Sequence, residues 1–379
     1  MALATLRLSF FCSLIFSVLE LAIIYLTNKF SCFYAPMRSL SGKIVFLFIL
    51  VLPGKSLGGV VLLYHHVANN TPAITSIKIE QFEMHLKTIE EQGFEVLSLE
   101  ELTRNSIQRF SLDKQLAITF DDGYKDIITN AFPLLKKRGW PFTVFVSTKY
   151  IGISKSYLTW ADLAYLKENG ATISNHTHTH THLVRKKDQE THEEWKNRIK
   201  SEILTAQRIL ESKGYLSRSF AYPYGEYNPE ILKIISEMDL IGFGQQSGAI
   251  GPGSNQLILP RFPLAGAYTG IRALKDKAGS LAMPLKPNSR NPLITDDFFP
   301  PMTLEFTWPD LAFQNLNCFG PGGLMNLNKI SPNSFVVTPK KELPVGRSRY
   351  NCTLPYKNRY FWFSQLWIRK QVDGSWYQE

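Results

Sequence analysis

From Gly59 to Phe243 the chain alternates short apolar runs with amphipathic stretches, and this alternation constrains the fold more than any other feature. Val60-Val61-Leu62-Leu63-Tyr64 reads as a buried strand. Phe82, Leu86 and Ile89 have helical spacing, and Gly93 ends that segment. Glu95-Val96-Leu97 is strand-like, and Ser98 can cap a helix over Leu99–Asn105. Further strands are predicted over Leu116–Phe120, Phe142–Val146, Ala171–Ser174, Ser219–Tyr222 and Leu240–Phe243. The helices predicted between them cover Ile127–Arg138, Thr159–Glu168, Glu190–Lys213 and a segment opened by Asn228-Pro229-Glu230. This repetition implies an α/β fold, a parallel sheet with helices outside it. A closed barrel and an open doubly wound sheet both satisfy it. In a barrel, chemistry gathers where the strands end, and His65, Asp121, Asp122, His176 and Tyr224 all follow predicted strands.

Half of the eight histidines lie in Asn175-His176-Thr177-His178-Thr179-His180-Thr181-His182. On an extended strand all four would share one face; on a helical turn His176 pairs with His180, and His178 with His182. Either geometry lets His176 and His180 hold one ion, and imidazole is the usual zinc ligand. The plainer alternative is a polar loop that binds metal adventitiously.

Asp121 and Asp122 end the strand Leu116–Phe120 and precede Gly123. Adjacent residues leaving a strand point in different directions. One carboxylate can therefore bind a metal while the other faces a reacting water. A catalytic zinc site has three protein ligands and an open position. Asp122, His176 and His180 meet that count, which leaves Asp121 as the base. Read alone, Asp-Gly is also an ordinary turn ahead of a helix. The segment Phe220-Ala221-Tyr222-Pro223-Tyr224-Gly225 then sets a glycine-containing loop between strand and helix, where backbone N–H groups can stabilise an oxyanion.

These three segments resemble the motifs of the NodB-homology polysaccharide deacetylases, carbohydrate esterase family 4. The resemblance covers roughly 57–270. It implies a distorted (β/α) barrel and a metal-dependent hydrolase that removes N-acetyl groups from an N-acetylhexosamine polymer. It further implies Asp121 as the base, Asp122, His176 and His180 as ligands of one divalent ion, expected to be zinc, and the Tyr224 N–H as an oxyanion donor. Two departures stand out. Ala221 occupies the place where the third motif often carries an Arg, and no histidine follows His192 to serve as the family's late general acid. Both departures resemble the biofilm poly-β-1,6-N-acetylglucosamine deacetylase subgroup, in which the His of an N-terminal Tyr-His motif takes the acid role. Tyr64-His65-His66 follows the first strand here, so His65 is assigned as the acid with His66 as fallback. Arg261 is assigned as the buttress of Asp121. A non-catalytic sugar-binding barrel and an amidase of small cyclic amides are the rival readings.

The formal charge of +10 lies at the two ends, because residues 57–270 carry 23 basic and 23 acidic side chains. No basic stripe interleaved with aromatics marks a nucleic-acid partner. At the N-terminus, Arg38 and Lys43 precede the apolar run Ile44–Leu52, and Gly54 and Ser56 fit a signal-peptide cleavage site. The earlier run Leu8–Leu26 is long enough to anchor in a membrane. The expectation is an exported protein with a leader over 1–56 and a start at Met37, touching a membrane only if that leader stays uncleaved. Residues 57–284 are expected to form the deacetylase domain, 285–300 a proline-marked linker, and 301–379 a small all-β sandwich. Cys12 and Cys32 fall in the leader, leaving Cys318 and Cys352 as a candidate disulfide. Trp308, Trp362, Trp367 and Trp376 are read as sugar-stacking candidates, or as sandwich core.

Overall fold

The computed structural model describes residues 58–107, 113–287 and 292–378. The leader, its two apolar runs, Cys12, Cys32 and the Met37 start lie outside the described residues. Among the described residues no helix is long and apolar enough to cross a membrane.

Seven parallel strands form the main sheet: β1 Val60–Tyr64, β2 Gln115–Phe120, β3 Phe142–Val146, β4 Ala171–Asn175, β5 Ser219–Ala221, β6 Ile241–Phe243 and β7 Phe262–Pro263. They lie in the order β7-β1-β2-β3-β4-β5-β6, and the short strand Glu95–Val96 pairs with the start of β2. The segment before β7 closes the ring. Leu259 bridges to Phe243 of β6, and three residues later Phe262 and Pro263 run beside Leu62 and Leu63 of β1. Of the two arrangements the alternation allowed, the closed one is therefore formed, as a distorted barrel.

Inward side chains fill the ring. Val61, Ala117, Phe145, Ala221, Phe243 and Leu259 form one buried cluster, a packed interior rather than a pore. The opposite faces of the strands bury Leu62, Ile118 and Val144 against helices such as α1 Ile79–Glu91 through Phe82, Leu86 and Ile89. This is the period-two pattern of a strand covered on both sides.

Most helices follow their sequence signals. α2 spans Leu99–Ile107. α4 Trp160–Glu168 and α5 His192–Ser212 each begin with a capping box, at Thr159/Asp162 and Thr191/Glu194. Asn228 accepts from the Ile231 N–H to cap α6 Pro229–Glu237. The segment expected as one helix over Ile127–Arg138 differs. It opens as a π-turn, Ile127–Ala131, and becomes α3 Phe132–Lys136 only afterwards. Pro133 has no N–H to give to the carbonyl four residues back. The turn widens, and the Phe132 N–H bonds to the Ile127 carbonyl instead. α7 Ile271–Ala278 follows β7.

Beyond it lie β8 Met302–Glu305, β9 Asn317–Gly320, β10 Asn326–Ser331, β11 Ser334–Thr338, β12 Gly346–Tyr356 and β13 Arg359–Arg369. β8, β11 and β10 form one antiparallel sheet; β9, β12 and β13 pair antiparallel in a second, mixed sheet, where the short strands Leu281–Ala282 and Ile294–Thr295 pair parallel to β13. Between them Met302, Phe306, Tyr350, Leu354 and Trp367 are buried in a common core. Cys318 and Cys352 face each other across β9 and β12 and are joined by a disulfide. Leu366 and Ile368 point to the other side of β13, into a cluster with Ile231 and Ile234 of α6. Trp362 meets Phe262 of β7 edge to face at 5.3 Å. Within 285–300, Leu293 is buried in the same cluster as Leu366, and Ile294–Thr295 pairs with Ile368–Arg369. Trp362 and Trp367 are thus committed to packing, and Trp308 abuts Phe361.

Candidate metal centre

Three loops at the C-terminal ends of β2, β4 and β5 meet at one point. Asp122 Oδ1 lies 3.3 Å from His176 Nε2 and 3.2 Å from His180 Nε2. Among the described residues this trio alone offers three ligand atoms within 4.8 Å of one another. The Asp122 Oδ1 and His176 Nε2 atoms are buried and have no hydrogen-bond partner. A buried carboxylate oxygen and a buried imidazole nitrogen left unpaired are costly. A shared cation would satisfy both, and one Asp with two His is a donor set suited to a divalent metal with room for water.

The local backbone explains how the trio forms. β4 ends at Asn175, and the histidine run is neither strand nor helix. Thr177 and His180 adopt left-handed φ values of 68° and 55°. Asn175 accepts from the Thr177 N–H, and Thr177 Oγ1 accepts from the His180 N–H. Glu202 of α5 binds both the N–H and the hydroxyl of Thr179. This turn brings His176 and His180 together and sends the other two histidines elsewhere. His178 Nδ1 contacts Thr148 Oγ1 at 2.9 Å, and His182 Nδ1 contacts Glu226 Oε2 at 2.9 Å. His176 donates from Nδ1 to the Ala221 carbonyl at 2.8 Å, which keeps Nε2 available for a metal.

Asp121 and Asp122 diverge because Asp122 also takes a left-handed φ of 72°, which Asp tolerates better than most residues. Asp121 turns into the barrel and is fully buried. Arg261 Nη1 and Nη2 donate to its two oxygens at 2.7 and 2.8 Å, and Arg261 Nε donates to the Gly244 carbonyl at 2.9 Å. Burial alone would raise the Asp121 carboxyl, but the Arg261 guanidinium and His176 outweigh it and hold the group below its ordinary range. At Asp122 burial is likewise outweighed, by His176 and His180, and the carboxyl is held well down. His176 is raised, since Asp121 and Asp122 prevail over its burial.

His65 follows β1 and is half-buried, within the field of Asp122, Asp121, Arg261 and His176. Burial lowers its imidazole against the pull of the two carboxylates. His66 turns away: its Nδ1 lies 2.6 Å from Asp126 Oδ2, and its ring stacks on Tyr124 at 3.6 Å. Tyr224 has φ 59° and ψ 3°, and its ring lies 4.7 Å from that of His180. Gly225 beside it has φ 72°, and a Cβ there would meet Gln245 Cβ at 2.8 Å.

Sequence reasoning missed three parts of the surroundings. Tyr124, Tyr157 and Tyr150 stack in a row beside Asp122, with centroids 5.3 and 5.4 Å apart. Burial and the Asp122 charge push the Tyr124 phenol up. The buried Glu226 holds His182, whose ring lies flat against Tyr224 at 3.8 Å. Arg347, from β12, places its guanidinium 5.2 Å from the Tyr224 ring centroid. The signals were present for Tyr124 and Glu226, which directly follow the motif segments ending at Gly123 and Gly225. None existed for Arg347, which arrives from far along the chain.

The family described as polysaccharide deacetylase matches residues 111–242. The poly-beta-1,6-N-acetyl-D-glucosamine N-deacetylase of Staphylococcus aureus (strain N315) is 30% identical over 199 residues, covering 49% of this chain and 67% of that protein. YxkH, a candidate polysaccharide deacetylase of Bacillus subtilis (strain 168), is 27% identical over 215 residues, covering 55% of this chain and 72% of that protein. Two solved structures share the fold. The Streptococcus pyogenes deacetylase PplD, in complex with acetate, superposes with a TM-score of 0.53 at 22% identity over 59% of this chain and 99% of its own. IcaB from Ammonifex degensii gives 0.53 at 23% identity over 60% and 99%.

Proposed function

This chain belongs to the polysaccharide deacetylase family, and from that premise we propose that it hydrolyses N-acetyl groups from an envelope or extracellular N-acetylhexosamine polymer. The observation that carries the reading is the convergence of Asp122, His176 and His180, with two orphaned ligand atoms, beside a second carboxylate that is buried yet held ionised. Asp122, His176 and His180 would hold one divalent ion, zinc by the chemistry of the donor set. When bound, such an ion lowers the pKa of a water and polarises an amide carbonyl.

The remaining roles fall to the chain itself. Asp121 accepts the proton of the attacking water, and Arg261 keeps that carboxylate charged and oriented in the interval before it does. The Tyr224 N–H donates to the oxygen that becomes negative in the tetrahedral intermediate. His65 gives a proton to the departing amine, which leaves a glucosamine unit and acetate. His66, bound to Asp126, supports the loop rather than the reaction. Export fits a polymer of this kind, and the basic leader pattern supports it. The relatives named for poly-β-1,6-N-acetylglucosamine make that linkage the first to test. Acetate release from defined β-1,6- and β-1,4-linked N-acetylglucosamine oligomers, before and after chelation and zinc addition, tests the proposal. Release that stops on chelation and returns with zinc is the expected result; a metal-loaded protein that frees no acetate from either series overturns it.

A further inference from the structure

We propose that Arg347 and Tyr377, from the C-terminal strands and tail, are positioning residues that fix the Tyr224 peptide in its working orientation. The inference rests on the role given to Tyr224 above. Tyr224 is a bulky residue in the left-handed region, a strained conformation that persists only where its surroundings impose it. Part of that imposition is local: the Gly225 N–H bonds to the Tyr222 carbonyl at 2.9 Å. Two chains of contacts add to it, and both end in the C-terminal region.

The first is direct. Arg347 Nη1 donates to the Tyr224 carbonyl at 3.4 Å while the guanidinium lies 5.2 Å from the ring centroid. One residue thereby holds the backbone and the side chain of Tyr224 together. Its placement follows from sheet parity. Arg347 pairs with Ile368 across β12 and β13, and Ile368 points into the cluster shared with α6. Cross-strand partners share a face, so Arg347 is directed toward the barrel and not into the sandwich core.

The second chain has one more link. The Tyr377 hydroxyl donates to Glu226 Oε1 at 3.2 Å, and Glu226 Oε2 holds His182 Nδ1 at 2.9 Å. The His182 ring then lies 3.8 Å from the Tyr224 ring, with 7° between their planes. A buried carboxylate gripped on both oxygens has little freedom, and it passes that rigidity to the imidazole. The family match ends at residue 242, well before either clamp residue. The C-terminal strands therefore contribute to an oxyanion donor that the barrel motif alone only places nearby.

The test uses the full chain loaded with zinc, in the variants Arg347→Ala, Arg347→Lys and Tyr377→Phe. Steady-state acetate release is measured together with hydrogen–deuterium exchange of the peptide spanning 222–228. Arg347→Ala should lower kcat about tenfold with KM and zinc content unchanged, a fraction of what loss of a whole oxyanion donor costs. Arg347→Lys, which keeps a donor and a charge, should recover part of that loss. Tyr377→Phe should lower kcat a few-fold. Exchange in 222–228 should quicken in the same order. Unchanged kcat and unchanged exchange in Arg347→Ala overturn the proposal, as does a kcat loss matched by an equal loss of zinc. If the parent releases no acetate from any oligomer but exchange still quickens, the clamp stands and the activity assignment falls.

Discussion

Arg261 grips both oxygens of Asp121, at 2.7 and 2.8 Å, and neither side chain is exposed to solvent. A buried ion pair of this kind is retained at a desolvation cost, and removing one partner leaves a bare charge in the interior. Here the pair also keeps the Asp121 carboxyl ionised, as the base role proposed for it requires. The third-motif position where a buttressing Arg is expected holds Ala221, whose side chain packs in the barrel interior beside Phe145 and Phe243. The guanidinium comes instead from the segment before β7 and rests 5.2 Å from the Phe145 ring centroid.

Arg261→Met should therefore destabilise the protein by about 3–5 kcal/mol and abolish acetate release. Asp121→Asn should also abolish acetate release, by at least a thousandfold, yet bind zinc as the parent does. Urea denaturation, acetate assay and metal titration on both variants check this. Activity surviving in either one contradicts the role given to the pair.

Chelation should remove all activity, and one equivalent of zinc per chain should restore it. His176→Ala and His180→Ala should each weaken zinc binding by at least a hundredfold, whereas His178→Ala, whose ring contacts Thr148, should leave affinity within about threefold. Isothermal titration distinguishes these outcomes.

The two adjacent histidines should separate by phenotype. His65→Gln should lower kcat by ~10²–10⁴ with little change in unfolding free energy. His66→Gln loses its 2.6 Å contact with Asp126 and should chiefly cost stability. Paired kinetic and denaturation measurements decide, and equal kcat losses in the two variants would remove the assignment of His65.

His85 sets a pH dependence remote from the metal. Its Nε2–H donates to the Thr269 carbonyl at 2.8 Å, so its Nδ1 accepts from the Tyr64 hydroxyl at 3.0 Å. Burial pushes the imidazole down to about 4, helped by the nearby Lys277 charge. The folded value lies below the unfolded value of about 6.5, so the unfolded chain binds the extra proton between those pH values. Stability is then complete above about pH 6.5 and declines as pH falls toward 4, by up to about 3 kcal/mol. Denaturation at pH 7, 5.5 and 4.5 should show this slope, and His85→Gln should flatten it.

Much of the barrel could be read from the chain because its strands are short, apolar and separated by capped helices. Phe142–Val146 has the predicted bounds. The π-turn at Ile127–Ala131 was hidden because apolar periodicity carries no information on a missing donor one turn later. At the site, the spacing of the histidines allowed two pairings, and the left-handed turn at Thr177 decided between them. Arg261 was nameable only from the gap left at Ala221. Arg347 and Tyr377 carried no local mark, since their meaning depends on which face of β12 and which end of the tail meet the third loop.

The closure of the ring has a consequence for biosynthesis. The stretch that joins β6 to β1 also delivers the guanidinium that keeps Asp121, the proposed proton acceptor, charged. A nascent chain lacking those residues has an open wall and an unsupported acceptor at once. Under the proposed function, hydrolytic competence is thereby tied to completion of the cylinder, and a half-made molecule has no means of attacking sugar amides prematurely.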